Sequence, residues 1–195
     1  MTTLPEKALA QLFHEARTFS RWQEREVPDT LIESALVTAL LGPTSGNCEP
    51  MRLVLVKSKE AKERLLPCVS SGNSEKVRTA PVTAIVAYDT LFYEHLPRLF
   101  PHTDARGWFT SNEALATETA FRNSSLQGAY FILALRAHGL DCGPMSGFNN
   151  AAVDAEFFPD GRCRSNFLMN IGFGDHGALH PRPPRLALDE VARWV

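Results

Sequence analysis

Four arginines and two short loops hold most of the chemistry open to this chain. Arg17-Thr18-Phe19-Ser20-Arg21-Trp22 sets two guanidiniums, two hydroxyls and two aromatic rings in six residues. Near the other end, His180-Pro181-Arg182-Pro183-Pro184-Arg185 holds out two more guanidiniums on a segment too rich in proline to be helical. Planar guanidinium forks and hydroxyls are suited to phosphate. Residues 17–22 read equally as a solvated helix end. Between these basic segments lie a polar loop, Pro43-Thr44-Ser45-Gly46-Asn47-Cys48-Glu49-Pro50, and a small-residue loop, Asp141-Cys142-Gly143-Pro144-Met145-Ser146-Gly147-Phe148. Hydroxyl and amide groups in the first suit the edge of a polar ring. Glycines in the second let backbone amides come close to a ligand.

Other motifs are weaker. Gly172-Phe173-Gly174-Asp175-His176-Gly177 spells the dinucleotide-binding glycine pattern after a strand-like run. The prolines that follow cannot open the required helix, and too little chain remains for the rest of a βαβ unit. Residues 143–147 resemble a nucleophile elbow, but Ser146 sits one place late. His176 and His180 are four apart on a non-helical segment with no supporting ligands, so no metal site is expected. No nucleophile-and-base set stands out, which favours binding of a phosphorylated cofactor over covalent catalysis.

The elements that position these loops follow from patterning. The central one begins polar at Thr117 and is almost continuously apolar from Ala129 to Ala137, so it reads as a buried helix. His138-Gly139-Leu140 fits its C-cap. Thr3, Pro5 and Glu6 suggest a first helix capped by Thr3 and fraying near Arg17, and Pro28-Asp29 opens a second that Gly42-Pro43 ends. Strands are expected over 51–57, 82–88 and 167–173, with short helices over 60–66 and 151–158. Residues 70–79 are ambiguous. An irregular stretch, about 89–112, holds Phe92, Tyr93, Phe100, Trp108 and Phe109. It reads either as a lid or partner surface or as a satellite cluster on its own core. The 195 residues form one domain, 1–195, with 44% apolar residues and net charge −2. No basic block suggests nucleic acid, no apolar run is long enough to span a membrane, and four cysteines without paired ligand spacing read as free thiols of a cytoplasmic protein.

Taken in order, these loops resemble the flavin-dependent nitroreductase family. The matching stretches are Arg17-Thr18-Phe19-Ser20, residues 43–50, His138-Gly139-Leu140, Pro144-Met145-Ser146-Gly147 and residues 182–185, spanning nearly the whole chain. Within that family, Phe100-Pro101-His102, Asp104-Ala105-Arg106, Trp108-Phe109-Thr110-Ser111 and residues 118–125 and 143–148 resemble the malonic semialdehyde reductases of pyrimidine degradation. The resemblance implies an α+β, three-layer fold, with a mostly antiparallel central sheet flanked by helices. It also implies an intertwined homodimer with FMN at the interface. NADH or NADPH would pass a hydride to the flavin N5, and a small carbonyl or nitro acceptor would take it in a second step. The protein would then need no catalytic side chain of its own.

Carried over by residue, Arg17 and Thr18 meet the FMN phosphate or ribityl chain with Ser20 beside them, and Arg182 and Arg185 meet the phosphate. Asn47 bonds the ring system. Pro144, Ser146 and Gly147 line it near N5, and Asn123 faces the dimer interface or the cofactor. Many relatives hold a basic residue where Ser20 stands; Arg21 leaves the chain in another direction. For an acidic semialdehyde, Arg106 or Arg122 is the candidate carboxylate partner, each equally readable as a plain ion-pair arginine, and His102 is the candidate proton donor. A broad nitro/quinone reductase and a non-catalytic flavin-binding protein are the alternatives.

Overall fold

The apolar runs become strands, and one strand lies where a loop is expected. The computed structural model describes residues 2–195. Strands β1 (Met51–Val56) and β2 (Val82–Asp89) follow the aliphatic runs. β2 is buried along almost its whole length, as an unbroken apolar strand must be. The run at 167–173 is part of a longer strand, β4 (Cys163–Gly172), paired with β3 (Asp141–Met145). The Gly/Pro loop therefore starts as a fourth strand, where three are expected. Glycine and proline are poor strand formers, which hid it. Pro144 is tolerated because the order β1-β2-β4-β3 leaves β3 at an edge. The pairings among these four strands are antiparallel.

Helices α2 (Asp29–Ala39) and α7 (Glu113–Ala137) cover one sheet face. Ile32, Phe131 and Leu135 pack there against Met169 and Ile171. Helices α3 (Lys59–Leu65), α4 (Ser71–Thr79) and α8 (Asn150–Phe157) cover the other, through Leu65, Val77, Val153, Ile85 and Leu168. This is the expected α+β three-layer arrangement, and α4 resolves the ambiguous stretch at 70–79. The first helix differs from expectation. It consists of α1 (Glu6–Leu9) and a π turn (Ala10–His14), with Pro5 and not Thr3 at its N-cap and no side-chain cap. Thr3 lies two residues too early to reach the first free amides.

The α7 helix starts four residues before the expected Thr117, where Asn112 Oδ1 accepts the Leu115 N–H (3.0 Å). It ends as expected, with Gly139 at φ 78° and the Leu140 N–H returning to the Leu135 carbonyl (2.9 Å). It is not buried all round. Thr119, Asn123, Ser124, Gln127 and Phe131 face inward, while Phe121, Leu126 and Tyr130 stay exposed. Gly128 lets the helix lie on the sheet, because a Cβ there would stand 2.6 Å from the Phe167 ring.

The aromatic stretch folds into a 3-10 turn (Phe92–His95) and two single-turn helices, α5 (Leu96–Leu99) and α6 (Gly107–Thr110). Phe92, Leu96, Ala105 and Phe109 form a separate small core with Ala116, Ala120 and Cys48, so the satellite-cluster reading holds for its inner side. Trp108 remains half exposed. The tail over 180–185 is extended as expected; a 3-10 turn (His176–Ala178) precedes it and an exposed turn, α9 (Leu188–Val191), follows.

Asp89 ties this stretch to the sheet. It is 1% exposed and accepts hydrogen bonds from Arg162 (3.1 Å at each oxygen), Arg52 (2.8 Å) and the Leu91 N–H (2.9 Å). Burial alone would raise its pKa; the Arg162 hydrogen bonds, the Leu91 amide and the two positive charges outweigh burial and hold it below the usual value. Asp89→Asn should cost about 2–3 kcal/mol at neutral pH. Because the folded pKa is depressed, this contribution is complete above the unfolded value of about 3.9 and is lost as pH falls through the folded value. Urea unfolding at neutral pH and near pH ~3 should show the wild-type advantage shrinking in acid; an equal advantage at both would refute the electrostatic origin.

Candidate cofactor site

The N-terminal basic segment docks on the exposed edge of β3. Thr18 forms a parallel bridge with Cys142, and the Phe19 N–H donates to the Cys142 carbonyl (3.2 Å). Trp22 pairs with Gly174, and the Gln23 N–H reaches the Phe173 carbonyl (2.9 Å). Three glycines make room. A Cβ on Gly143 would lie 2.2 Å from the Phe19 carbonyl oxygen, one on Gly174 2.2 Å from the Phe19 ring, and one on Gly172 2.6 Å from the Trp22 ring. The glycine pattern at 172–177 is thus a packing feature, followed by a single 3-10 turn (His176–Ala178) and not a nucleotide-binding helix.

This docking builds a cavity of about 490 Å³ lined by Arg17, Thr18, Ser20, Arg182 and Arg185. The resemblance implies Arg17 and Thr18 at the phosphate or ribityl chain with Ser20 beside them, and Arg182 and Arg185 at the phosphate; the fold brings these five together from opposite ends of the chain. Arg17 donates to the His180 carbonyl (2.5 Å), and Arg182 donates to the carbonyls of His14 (2.8 Å) and Ala16 (2.9 Å). These bonds fix the tail to the N-terminal segment and leave further guanidinium N–H groups for an anion. No acidic residue lines the cavity. Arg136 also lines it, held by the Leu12 carbonyl (2.9 Å). Sequence reasoning missed Arg136, whose sole signal was a basic residue in the last turn of α7. Arg21 is absent from the lining, in keeping with its separate direction.

Further along β3, Pro144 and Ser146 are exposed and Gly147 is half-buried. The Gly147 carbonyl is fixed by three donors: the Ser70 N–H (3.1 Å), Ser70 Oγ (2.7 Å) and Asn73 Nδ2 (3.2 Å). Its own N–H has no partner among the described residues. Lys76 Nζ donates to Asn73 Oδ1 (2.9 Å). Ser70, Asn73 and Lys76 were hidden in the ambiguous stretch, and only their position on α4 reveals them.

Asn47 lies elsewhere. Its loop precedes β1, at the opposite edge of the sheet from β3, a separation of roughly 14 Å for three strand spacings. One chain therefore does not bring Asn47 to the arginine cavity. The loop is strained: Gly46 (φ 57°), Asn47 (φ 52°) and Glu49 (φ 39°) are left-handed. Asn47 Nδ2 donates to the Leu99 carbonyl (2.9 Å), which leaves its Oδ1 as an acceptor. Trp108 stands over Gly46, and Phe100 contacts both Trp108 and His102. Asn123 faces neither solvent nor the arginine cavity; its Oδ1 accepts the Ser45 N–H (2.8 Å). Of the acceptor-side candidates, His102 and Arg106 are exposed on the aromatic stretch, and Arg106 makes no ion pair among the described residues. Arg122 is paired with Glu118 on the helix surface.

The thiols are poor nucleophiles. Burial pushes Cys48 and Cys142 up to about 11, so both stay protonated at neutral pH.

A family model described as "Nitroreductase family" matches residues 15–173. The chain belongs to the nitroreductase family. A nitroreductase relative from Burkholderia lata, named "Putative NADH dehydrogenase/NAD(P)H nitroreductase", is 58% identical over 193 residues, covering 99% of each chain. A Ralstonia nicotianae protein with the same designation is 53% identical, again over 99% of each. Among solved nitroreductase structures, one from Bacillus subtilis superimposes with a TM-score of 0.87 at 20% identity, over 98% of this chain and 100% of that one. A "putative nitroreductase in complex with FMN" from Exiguobacterium sibiricum gives 0.82 at 19% identity, over 100% and 99%. At such identities the structures establish the shared fold.

Gly143→Ala should force the Phe19 carbonyl off the β3 edge. An expected cost of about 1–3 kcal/mol lowers Tm by roughly 2–12 °C. A thermal melt checks this, and an unchanged Tm would mean the segment docks elsewhere.

Proposed function

We propose that this nitroreductase-family chain is an FMN-dependent NAD(P)H oxidoreductase of the cytoplasm. The observation that carries the reading is the single cavity holding Arg17, Thr18, Ser20, Arg136, Arg182 and Arg185. Four guanidiniums and two hydroxyls form a donor set that fits a phosphate. From Cys142, which bridges to Thr18 of the cavity wall, to Ser146 just past β3 is roughly 13 Å of extended chain, a length suited to a ribityl chain leading to a ring. At that end the unpartnered Gly147 N–H is a ready donor for the ring, and the triply held carbonyl keeps Gly147 in place. Bound FMN would supply two-electron transfer from NADH or NADPH to an acceptor. The chain's own residues would hold the phosphate, orient the ring and offer it hydrogen bonds.

Two features support a homodimer with composite sites. Asn47 and Gly147 lie at opposite sheet edges, so a site using both needs two copies. Phe121, Leu126 and Tyr130 on α7, with Val37, Leu40 and Leu41 around the end of α2, leave apolar surface uncovered.

For the acceptor we favour a small carbonyl acid, malonic semialdehyde, reduced to 3-hydroxypropanoate. The unpaired Arg106 would hold its carboxylate, and His102 would donate a proton to its carbonyl oxygen. Both belong to the aromatic stretch that leans on the Asn47 loop. A broad nitro- or quinone-reducing activity is the second reading, favoured by the names of the relatives and by the half-exposed Trp108 face.

The purified protein, mixed with FMN and freed of excess, should keep a flavin band that bleaches on anaerobic NADH or NADPH. Absence of retained flavin would overturn the reading. Arg17→Ala should weaken FMN binding by about 1.5–3 kcal/mol, roughly 10- to 150-fold; unchanged affinity would remove Arg17 from the phosphate. With malonic semialdehyde and a nitroaromatic compared at equal concentration, Arg106→Ala should raise KM for the acid alone by about tenfold. Equal effects on both acceptors would favour the second reading.

A further inference from the structure

The inward face of α7 carries two amides with no place in the arginine cavity. Asn123 is fully buried and Gln127 is 1% exposed, four residues apart and so on one face of the helix. Asn123 Oδ1 accepts the Ser45 N–H (2.8 Å), and its Nδ2 donates to the Thr119 carbonyl (2.8 Å). Gln127 Oε1 accepts the Met51 N–H (2.9 Å). The amide orientations follow from chemistry, because a backbone N–H can face only an oxygen. Ser45 and Met51 bracket the strained loop, so two bonds from one rigid helix hold both its ends.

The loop also has bonds of its own, to the preceding Thr44. Thr44 Oγ1 accepts the Glu49 N–H (3.2 Å), and the Asn47 N–H returns to the Thr44 carbonyl (3.0 Å). Elsewhere the loop is tied by Asn47 Nδ2 on the Leu99 carbonyl (2.9 Å), by the Asp89 N–H on the Pro50 carbonyl (2.9 Å) and by the buried Cys48, while its Ser45 and Met51 N–H groups are held by α7. Two non-glycine residues with left-handed backbone would relax if the ends came free. An apolar side chain at 123 or 127 would also leave a backbone N–H without its partner.

We infer that Asn123 and Gln127 are positioning residues: through the Ser45 and Met51 amides they hold the strained turn that aims Asn47 at the flavin ring. This rests on the flavin reading above. The α7 helix thus sets where the ring meets Asn47, while the phosphate is held by a separate group of residues. Ring placement and phosphate grip should respond to different substitutions.

Amide hydrogen exchange on the purified full chain, together with turnover of the flavin-loaded protein, tests this. Asn123→Leu should speed exchange of the Ser45 amide by about tenfold or more, with β2 and β4 amides unchanged. It should slow acceptor reduction by about ten- to hundredfold while FMN affinity changes by less than about threefold. Asn123→Asp keeps an acceptor oxygen and should recover most of both effects. Gln127→Leu should do the same as Asn123→Leu at Met51, and it decides the matter if Asn123→Leu loosens the whole sheet. Unchanged Ser45 and Met51 exchange in the leucine variants would overturn the inference. So would faster exchange with undiminished turnover, since the two bonds would then be structural only. Wild-type protein that takes up no flavin overturns the underlying reading, and that result precedes any variant.

Discussion

The Phe19 carbonyl occupies the space where residue 143 would carry a side chain. The arginine cavity depends on that contact. It seats residues 18–22 on the open edge of β3, which otherwise would present unpaired backbone groups. Once seated, the segment carries Arg17 to the His180 carbonyl, and Arg182 reaches back to the carbonyls of His14 and Ala16. Chain segments more than a hundred and sixty residues apart in sequence are joined by backbone acceptors and guanidinium donors, not by a hydrophobic core. The cavity is therefore made by the closing of the fold and has no local precursor.

That origin explains what could be read beforehand. Arg17, Thr18, Ser20, Arg182 and Arg185 could be singled out because their guanidiniums stand beside hydroxyls or prolines, although residues 17–22 read equally as a solvated helix end. Their meeting rested on family resemblance, since nothing in residues 17–22 or 180–185 encodes the other's position. β2 was legible because an unbroken β-branched run has few alternatives, and the end of α7 because Gly139 supplies a left-handed residue at the right place. β3 was not, because glycine and proline argue against a strand unless the neighbour is known. Residues 70–79 gave no periodicity, and so Asn73 and Lys76 were invisible. The exposed side of α7 was misjudged because a monomer's surface and a buried face are equally apolar when a partner is expected to cover one of them.

The two edges of the sheet divide the labour. The β3 edge gathers positive charge and a free backbone amide; the β1 edge gathers strain, aromatic rings and amides clamped by α7. Charge can be supplied by flexible, exposed arginines, since attraction to an anion tolerates motion. Directional bonds to a ring require rigid supports, and on that edge the side chains that fix the loop are buried. The difference in exposure between Arg182 or Arg185 and Asn123 or Gln127 fits the separate roles proposed for them.

Gly172 and Gly174 are small because Trp22 and Phe19 are large. Each glycine therefore shares one volume with the ring that faces it from another segment of the chain. A bulkier residue at 174 would need a smaller one at 19, whereas at 172 the Pro81 ring (2.9 Å) would have to give way as well as Trp22. A scan that scores the glycines alone reads a nucleotide signature, whereas the record of descent should track the paired volumes.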